Sequence, residues 1–208
     1  MSTPSMPAGR KPRADAERNR ARVLAAARAL FVEHGEAVQM PEVARAAGVG
    51  IGTVYRHFPT RQALVEAAAE HRFGEILEFA ETDCLREPRT GQGLRRYLRH
   101  VGEVLARERG LSAALAAAVG SEAPRGETLA RLERAVGALI EQDRAAGAVR
   151  GDVTVDDIYL IVAGLSGIIR TGSGEWSRFA DLVFEGLRPR PGRSHPGRSH
   201  PEHSRPDC

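Results

Sequence analysis

Four hydrogen-bonding side chains of different types lie close together in the segment GIGTVYRHF, residues 50–58. A hydroxyl, a phenol, a guanidinium and an imidazole come from Thr53, Tyr55, Arg56 and His57. Such groups can donate hydrogen bonds to phosphate oxygens and to base edges, and the neighbouring Gly52 permits a close backbone approach. The segment offers no paired nucleophile, base or acid, so it indicates recognition of a nucleic acid and no enzyme chemistry.

The spacing of apolar and turn residues predicts a helix-turn-helix from Gln39 to Phe58 that would present these side chains. Glu42 lies three residues after Gln39, which is the spacing of a capping box at the start of a helix. Gly48 can adopt the positive φ that a sharp turn needs. Val54 and Phe58 are four residues apart and are expected to face inward, which leaves the polar residues of the second helix facing outward.

Apolar residues recur with a period near 3.6 over most of the chain, and alternation with period 2 is nearly absent. This pattern predicts an all-α protein with about nine helices. In the first helix the apolar stripe runs from Val23 to Phe31, and Gly35 is expected to end it. Thr154 and Asp157 are spaced as a capping box for a later helix.

Charge is distributed unevenly along the 208 residues. Residues 1–61 contain ten Arg or Lys against five Asp or Glu, whereas residues 62–187 contain 15 against 20. A basic amino-terminal region on an acidic body suits a module that binds a polyanion. A solvated basic face without a partner would give the same charges.

The apolar stretches and the cysteines indicate where in the cell the protein is expected to reside. The longest apolar stretch, Ile158 to Ile169, is shorter than the roughly 20 residues that a membrane-spanning helix needs. No leader pattern is evident, so we expect a cytoplasmic protein that does not contact a membrane. Cys84 and Cys208 are the only cysteines, which leaves no disulfide framework or metal cluster. No metal and no cofactor are expected.

Both ends of the chain are predicted to be disordered. Residues 1–14 form a basic arm rich in Pro and Ser, in which Arg10, Lys11 and Arg13 either reach a minor groove or are simply solvated. Residues 189–208 contain the repeated pentapeptide PGRSH. The histidines of this tail are interpreted as part of a flexible segment and not as a metal site.

The runs VLAAARALFVEHG and MPEVARAAGVGIGTVYRHFPTRQALVEAA resemble the DNA-binding domain of the TetR family of bacterial regulators. The similarity covers about residues 17–76, and AGVGIGTVYRHFPTRQAL is its most diagnostic part. It implies a DNA-binding domain over residues 15–76 and a helical domain for ligand binding and dimerisation over residues 77–188. The segments RGDVTVDDI and VFEGLR resemble regulators with an SbtR-like carboxyl-terminal domain.

The resemblance implies roles for individual residues. The Thr, Tyr and His of the GT-x-Y-x-H-F signature contact the DNA backbone in this family, and Arg61 matches a basic residue that meets a phosphate at the start of the fourth helix. A second group of residues can reach the base edges. Arg56 is the main candidate for a base contact, with a phosphate contact as its alternative. The expected DNA-binding set is therefore Gln39, Ile51, Gly52, Thr53, Tyr55, Arg56, His57 and Arg61. Gln39 stands where Ser or Thr usually caps the second helix, and Pro41 removes a side chain that some members use on DNA.

The resemblance also implies a homodimer, a palindromic operator in double-stranded DNA and a small apolar or aromatic inducer. The last two helices would form the interface, where Gly164 and Gly167 allow close approach, although they could equally pack within one chain. Residues that could line a ligand pocket or belong to the plain core are Phe73, Leu77, Tyr97, Leu98, Leu115, Leu139 and Trp176.

The main functional expectation is a repressor that an inducer releases from its operator. A related regulator that acts without a small-molecule ligand, or as an activator, would share every residue of the DNA-binding set. A helical enzyme or scaffold is the remote alternative.

Overall fold

The computed structural model describes residues 12–86, 91–120 and 123–189, and the helices it contains confirm the all-α prediction. In these ranges the chain forms nine α-helices and no strand. In chain order they are α1 (Pro12–His34), α2 (Met40–Ala47), α3 (Ile51–His57), α4 (Arg61–Phe79), α5 (Gly93–Arg107), α6 (Arg109–Val119), α7 (Gly126–Ala145), α8 (Val155–Thr171) and α9 (Trp176–Leu187).

The first three helices form a small unit that we call the head (α1–α3). Val23, Ala27 and Phe31 are fully buried along one stripe of α1, as the apolar spacing predicts. Gly35 has a φ of +56° and begins a short 3-10 turn, Gly35–Ala37, so α1 ends where a left-handed glycine was expected. The head therefore consists of the long helix α1 with the two short helices α2 and α3 beside it.

The predicted arm of residues 1–14 overlaps α1, because that helix begins at Pro12. Arg10 and Lys11 lie outside the described residues, as does the tail with its PGRSH repeats. Among the described helices, none is both long enough and apolar enough to cross a membrane.

The remaining helices form the body (α5–α9), and α4 runs from the head into it before ending in a π-helical turn, Ala80–Cys84. Polar side chains cap two body helices, one from the buried interior and one at the surface. Asp143 of α7 is 1% exposed, and its carboxylate accepts the backbone N–H groups of Gly93 and Leu94 at 3.1 and 2.8 Å. The predicted capping box of Thr154 and Asp157 is present at the start of α8.

Close contacts join the head to the body at the start of α6. Gly110 lies directly against the backbone of α1, where an added Cβ would overlap the carbonyl oxygens of Phe31 and Val32. Beside it, Arg28 of α1 donates a 2.8 Å hydrogen bond to Glu108, whose side chain is 4% exposed. These contacts allow no relative shift of α1 and α6 without repacking.

Candidate nucleic-acid interface and cavity

The turn between α2 and α3 is built by backbone geometry that the sequence predicts. Gln39 donates its backbone N–H to the Glu42 carboxylate at 2.8 Å, and Pro41 occupies the first turn of α2. At the other end, Gly48 adopts a φ of +63°, and the N–H of Val49 donates to the Ala44 carbonyl at 3.0 Å. Because Gly48 and the Val49–Ala44 hydrogen bond fix the turn, α3 has a defined orientation relative to α2.

Two apolar anchors hold α3 and leave its opposite face in solvent. Val54 is fully buried and Phe58 is 3% exposed, as their spacing of four residues predicts. On the other face Ile51 and Tyr55 are 42% and 47% exposed, although both are large hydrophobic residues. The exposed or half-buried polar side chains of the same face are Thr53, Tyr55, Arg56 and His57. A surface that pairs solvated donors with an exposed phenol and an aliphatic side chain suits contacts to phosphates and base edges.

The backbone at the start of α3 is open. A Cβ added at Gly50 or Gly52 would meet no atom of the described chain within 4 Å. These glycines are therefore not required by packing inside the protein, which leaves room for another molecule to approach the helix N-terminus closely.

Arg61 makes contacts within the protein in addition to any role at the surface. Its Nε donates to the Val38 carbonyl at 3.1 Å and its Nη2 donates to the Glu36 carbonyl at 2.8 Å. The guanidinium also lies 5.5 Å from the centre of the Phe31 ring. The residue predicted to meet a phosphate thus stabilises the loop between α1 and α2. Next to it, Thr60 caps α4 by accepting the Ala63 N–H at 3.0 Å.

Two arginines of α1 lie at the same edge and were not predicted from the sequence. The guanidinium carbon of Arg20 is 5.2 Å from the centre of the Phe58 ring, and Arg22 Nη2 donates to the Gly48 carbonyl at 3.3 Å. Both side chains are exposed. Their positions on the polar face of α1 were visible in the sequence, but only the fold shows that this face borders the α2–α3 turn.

The body encloses a cavity of about 400 Å³ between α4, α5, α6, α7 and α8. Of the seven candidate pocket residues, Phe73 and Tyr97 line it. The others do not line it: Leu77, Leu98, Leu115 and Leu139 are core residues at most 4% exposed, and Trp176 covers Gly102 on α5. The wall that sequence reasoning missed is α8, which contributes Ile158, Tyr159, Val162, Ala163, Ser166, Gly167 and Arg170.

Polar groups are few among the described residues that line the cavity. Burial raises the pKa of Tyr159 to about 12 and raises the pKa of Tyr97 further, so both phenols keep their protons at neutral pH. The Tyr159 hydroxyl is buried and has no hydrogen-bond partner among the described residues. A buried donor of this kind gains free energy when a bound molecule supplies an acceptor.

The two glycines of α8 have different surroundings. A Cβ at Gly164 would lie 3.1 Å from the Phe179 ring, so this glycine permits α8 and α9 to pack within one chain. Gly167 lines the cavity, and a Cβ there would meet nothing within 4 Å. On the outer surface of the same two helices Leu160 is 75% exposed and Leu182 is 55% exposed.

Comparisons with known proteins find relatives of both the DNA-binding region and the body. A family model described as "Bacterial regulatory proteins, tetR family" matches residues 23–68, and one described as "Transcriptional regulator SbtR-like, C-terminal domain" matches residues 89–189. A solved TetR transcription regulatory protein from Mycobacterium vanbaalenii is 38% identical, with a TM-score of 0.60. The alignment covers 85% of this chain and 98% of that one.

Two curated regulators are similar over shorter segments. An HTH-type transcriptional regulator of Staphylococcus aureus is 36% identical over 38% of this chain, and the HTH-type transcriptional repressor LfrR of Mycolicibacterium smegmatis is 38% identical over 34% of this chain. The matches span 41% and 34% of those two proteins. The similarity to these curated proteins is therefore partial.

Proposed function

This chain belongs to the TetR family of bacterial regulatory proteins, and we propose that it acts as a homodimeric repressor that a small molecule releases from a palindromic operator. The general function of a DNA-binding transcriptional regulator follows from the family. We propose the individual DNA contacts, the dimer and the inducer.

The observation that carries the proposal is the exposed face of α3. Arg56 and Tyr55 point into solvent while Val54 and Phe58 hold the helix from behind. In this proposal Arg56 reads a base edge, and Thr53, Tyr55 and His57 bind the backbone. Ile51 and Gly52 lie against the bases, and Gln39 contributes from the position just before α2.

Arg61 has a modified role in this proposal. Its two hydrogen bonds to the carbonyls of Glu36 and Val38 orient the guanidinium and the loop before α2. We assign it as a positioning residue that holds the head together and adds positive charge near a phosphate. Arg20 and Arg22 add further charge at the same edge.

Dimerisation is supported by the outer surface of α8 and α9. Leu160 and Leu182 are large apolar side chains that one chain leaves in solvent, and burying them against a second copy would be favourable. A two-fold dimer would place two copies of α3 about one turn of DNA apart, or a multiple of it, and this arrangement requires a palindromic site.

Release by an inducer is supported by the cavity and by the packed contact between head and body. The cavity wall includes Phe73 of α4, which leads back to the head, and Leu105 of α5, which is followed by the contact of Gly110 with α1. A ligand that favours one arrangement of these helices lowers the affinity of the other arrangement for DNA.

Selection of bound sequences from a random DNA pool tests the proposal. The full chain is expected to select a palindrome, and its affinity should fall steeply with salt. Arg56→Ala should weaken binding to the selected site by about tenfold to a hundredfold, because a base contact is worth ~1–3 kcal/mol. Arg134→Ala, which removes an exposed arginine of α7, is the matched control and should leave binding unchanged.

Two results would contradict the proposal. Selection of a site without two-fold symmetry would argue against the dimer, and equal losses for the Arg56 and Arg134 variants would argue against the assignment of α3 to DNA.

A further inference from the structure

The amino-terminal half of α1 extends beyond the hydrophobic core of the head. The helix begins at Pro12, whereas Val23 is the first buried residue among those of α1 whose side chains are described. Two exposed arginines of this half, Arg20 and Arg22, contact residues close to α3. This part of α1 therefore presents its charged side chains outside the packed interior.

The direction of α1 places these arginines away from the body. Phe31 and Val32, near the carboxyl end of α1, lie against Gly110 at the start of α6. Arg22 precedes Phe31 by nine residues, which corresponds to about 14 Å along the helix axis. The arginines therefore lie on the part of the head that is farther from the body.

The two side chains reach the residues that flank α3. Arg22 Nη2 donates to the carbonyl oxygen of Gly48, in the turn that precedes α3. The guanidinium carbon of Arg20 lies 5.2 Å from the centre of the ring of Phe58, the residue that follows α3. The exposed face of α3 thus has a guanidinium group from α1 near the residue on each side of it.

Both guanidinium groups keep hydrogen-bond donors for another molecule. An arginine side chain carries five N–H donors, and the contact with Gly48 uses only one group of Arg22. Within the ranges that the structure describes, neither Arg20 nor Arg22 forms an ion pair. Because contacts with the head already restrain the two side chains, less conformational entropy is lost when they bind an anion.

Several arginines on the body surface are arranged differently. Arg95 and Arg99 of α5 both pair with the carboxylate of Asp181 at 2.9 Å, and Arg131 of α7 pairs with Glu81 at 2.8 Å. Carboxylates of the chain neutralise these charges, so they attract a polyanion weakly. The charges of the two arginines of α1 remain available to phosphates.

We propose that the amino-terminal half of α1 is a further DNA-contacting element, in which Arg20 and Arg22 bind backbone phosphates next to the groove that α3 enters. Phosphate contacts carry no sequence information, so these arginines add affinity for any duplex and leave the choice of site to α3. The inference rests on the DNA-binding part of the proposed function, but it requires neither the dimer nor the inducer.

The salt dependence of binding separates this role from base reading. Fluorescence anisotropy of the full chain is measured with the selected site and with an unrelated duplex of the same length, at salt concentrations from about 50 to 200 mM. Arg20→Gln and Arg22→Gln should each lower the affinity for both duplexes by the same factor. Arg56→Ala should instead lower the affinity mainly for the selected site.

The expected change in slope can be stated for each glutamine variant. Each lost phosphate contact should reduce the slope of log K against log salt concentration by about 0.9, or by about 1.8 where two copies of the chain bind one site. A variant that has merely lost stability contains less folded protein, which lowers the affinity at every salt concentration and leaves the slope unchanged. The slope therefore distinguishes phosphate binding from a purely structural role.

Matched variants control for charge. Arg134→Gln removes an exposed arginine from α7 and should leave the slope unchanged. Arg20→Lys and Arg22→Lys retain the positive charge and should keep most of the slope, since release of counterions depends on charge.

Three outcomes would overturn the proposal. Unchanged slopes for the two glutamine variants would do so, and the role of α3 would stand if Arg56→Ala still weakened binding to the selected site. A loss of affinity confined to the selected site would also overturn it, because this result indicates base contacts. Failure of the unmodified protein to bind either duplex would overturn this inference and the proposed function together.

Discussion

The exposed face of α3 and the cavity in the body are built in opposite ways. The α3 face comes from one helix of seven residues, held by Val54 and Phe58 on its other side. The cavity is assembled from five helices, and its lining residues are far apart in the sequence. A surface made by one short helix depends on a few anchors, whereas a cavity shared by five helices should tolerate the loss of any one wall residue.

The largest effect on stability is expected when an anchor residue of α3 is removed. Phe58→Ala should reduce the free energy of unfolding by about 3–5 kcal/mol, because it removes a large buried side chain and leaves a void. Val162→Ala, in the cavity wall, is the matched comparison and should cost about 1 kcal/mol, because Val162 is only partly buried and borders a space that already exists. Urea denaturation of both variants measures the difference. Similar losses of stability for the two variants would contradict the distinction between the α3 face, which depends on a few anchors, and the cavity wall, which five helices share.

The contact between the two regions should give the next largest effect. Gly110→Ala places a methyl group on the carbonyl oxygens of Phe31 and Val32 and should cost about 1–3 kcal/mol through overpacking. Gly186→Ala, in an open part of α9, is the control and should be neutral or slightly stabilising. Thermal unfolding of the two variants provides the measurement, and an unchanged midpoint for Gly110→Ala would mean that head and body are not packed as described.

Substitutions at two helical glycines test the functions of the two regions separately, with a smaller effect on stability. Gly52→Ala and Gly167→Ala should each raise the free energy of unfolding by about 0.5–1 kcal/mol, because both methyl groups enter open space in a helix. Gly52→Ala should nevertheless weaken DNA binding and leave the binding of a small apolar probe in the cavity unchanged. Gly167→Ala should do the reverse. Measuring both affinities for both variants checks the crossed pattern, which would fail if either substitution altered both activities.

The smallest effect concerns pH and arises where the body packs against the end of α4. Burial lowers the pKa of His100, which stacks on Phe79 with ring centres 3.8 Å apart. The nearby charges that oppose or add to this shift are Glu75, Glu103, Arg107 and Asp83. Since the unfolded chain binds a proton more readily than the folded one, His100 leaves stability undiminished above its unfolded pKa of about 6.5 and reduces it as the pH falls below that value.

Urea denaturation between pH 5 and pH 8 tests this sign. His100→Gln should flatten the decline below about pH 6.5, whereas His71→Gln, which removes an exposed histidine of α4, should leave the decline in place. A steeper decline in the His100 variant would contradict the assigned direction.

A feature could be predicted from the sequence where neighbouring residues build it, and could not where several distant helices build it together. The exposed face of α3 follows from the spacing of Val54 and Phe58, and the turn follows from Gly48, because neighbours along the chain determine both. The hydrogen bonds of Arg61 could not be foreseen, since they reach carbonyl groups more than twenty residues away. Nothing in the local pattern of α8 distinguishes Tyr159 from an ordinary helical residue, because only the packing of α4–α8 creates the space beside it.

The packed contact at Gly110 also determines how such regulators can be recombined. A hybrid that joined this head to the body of another family member at a boundary near residue 76 would bring a foreign α6 against α1. Any side chain in place of Gly110 would then collide with the α1 backbone, and a residue without a carboxylate in place of Glu108 would remove the hydrogen-bond partner of Arg28. Residues 107–112 should therefore be exchanged together with the head, since they are distant from it in sequence but complete its surface.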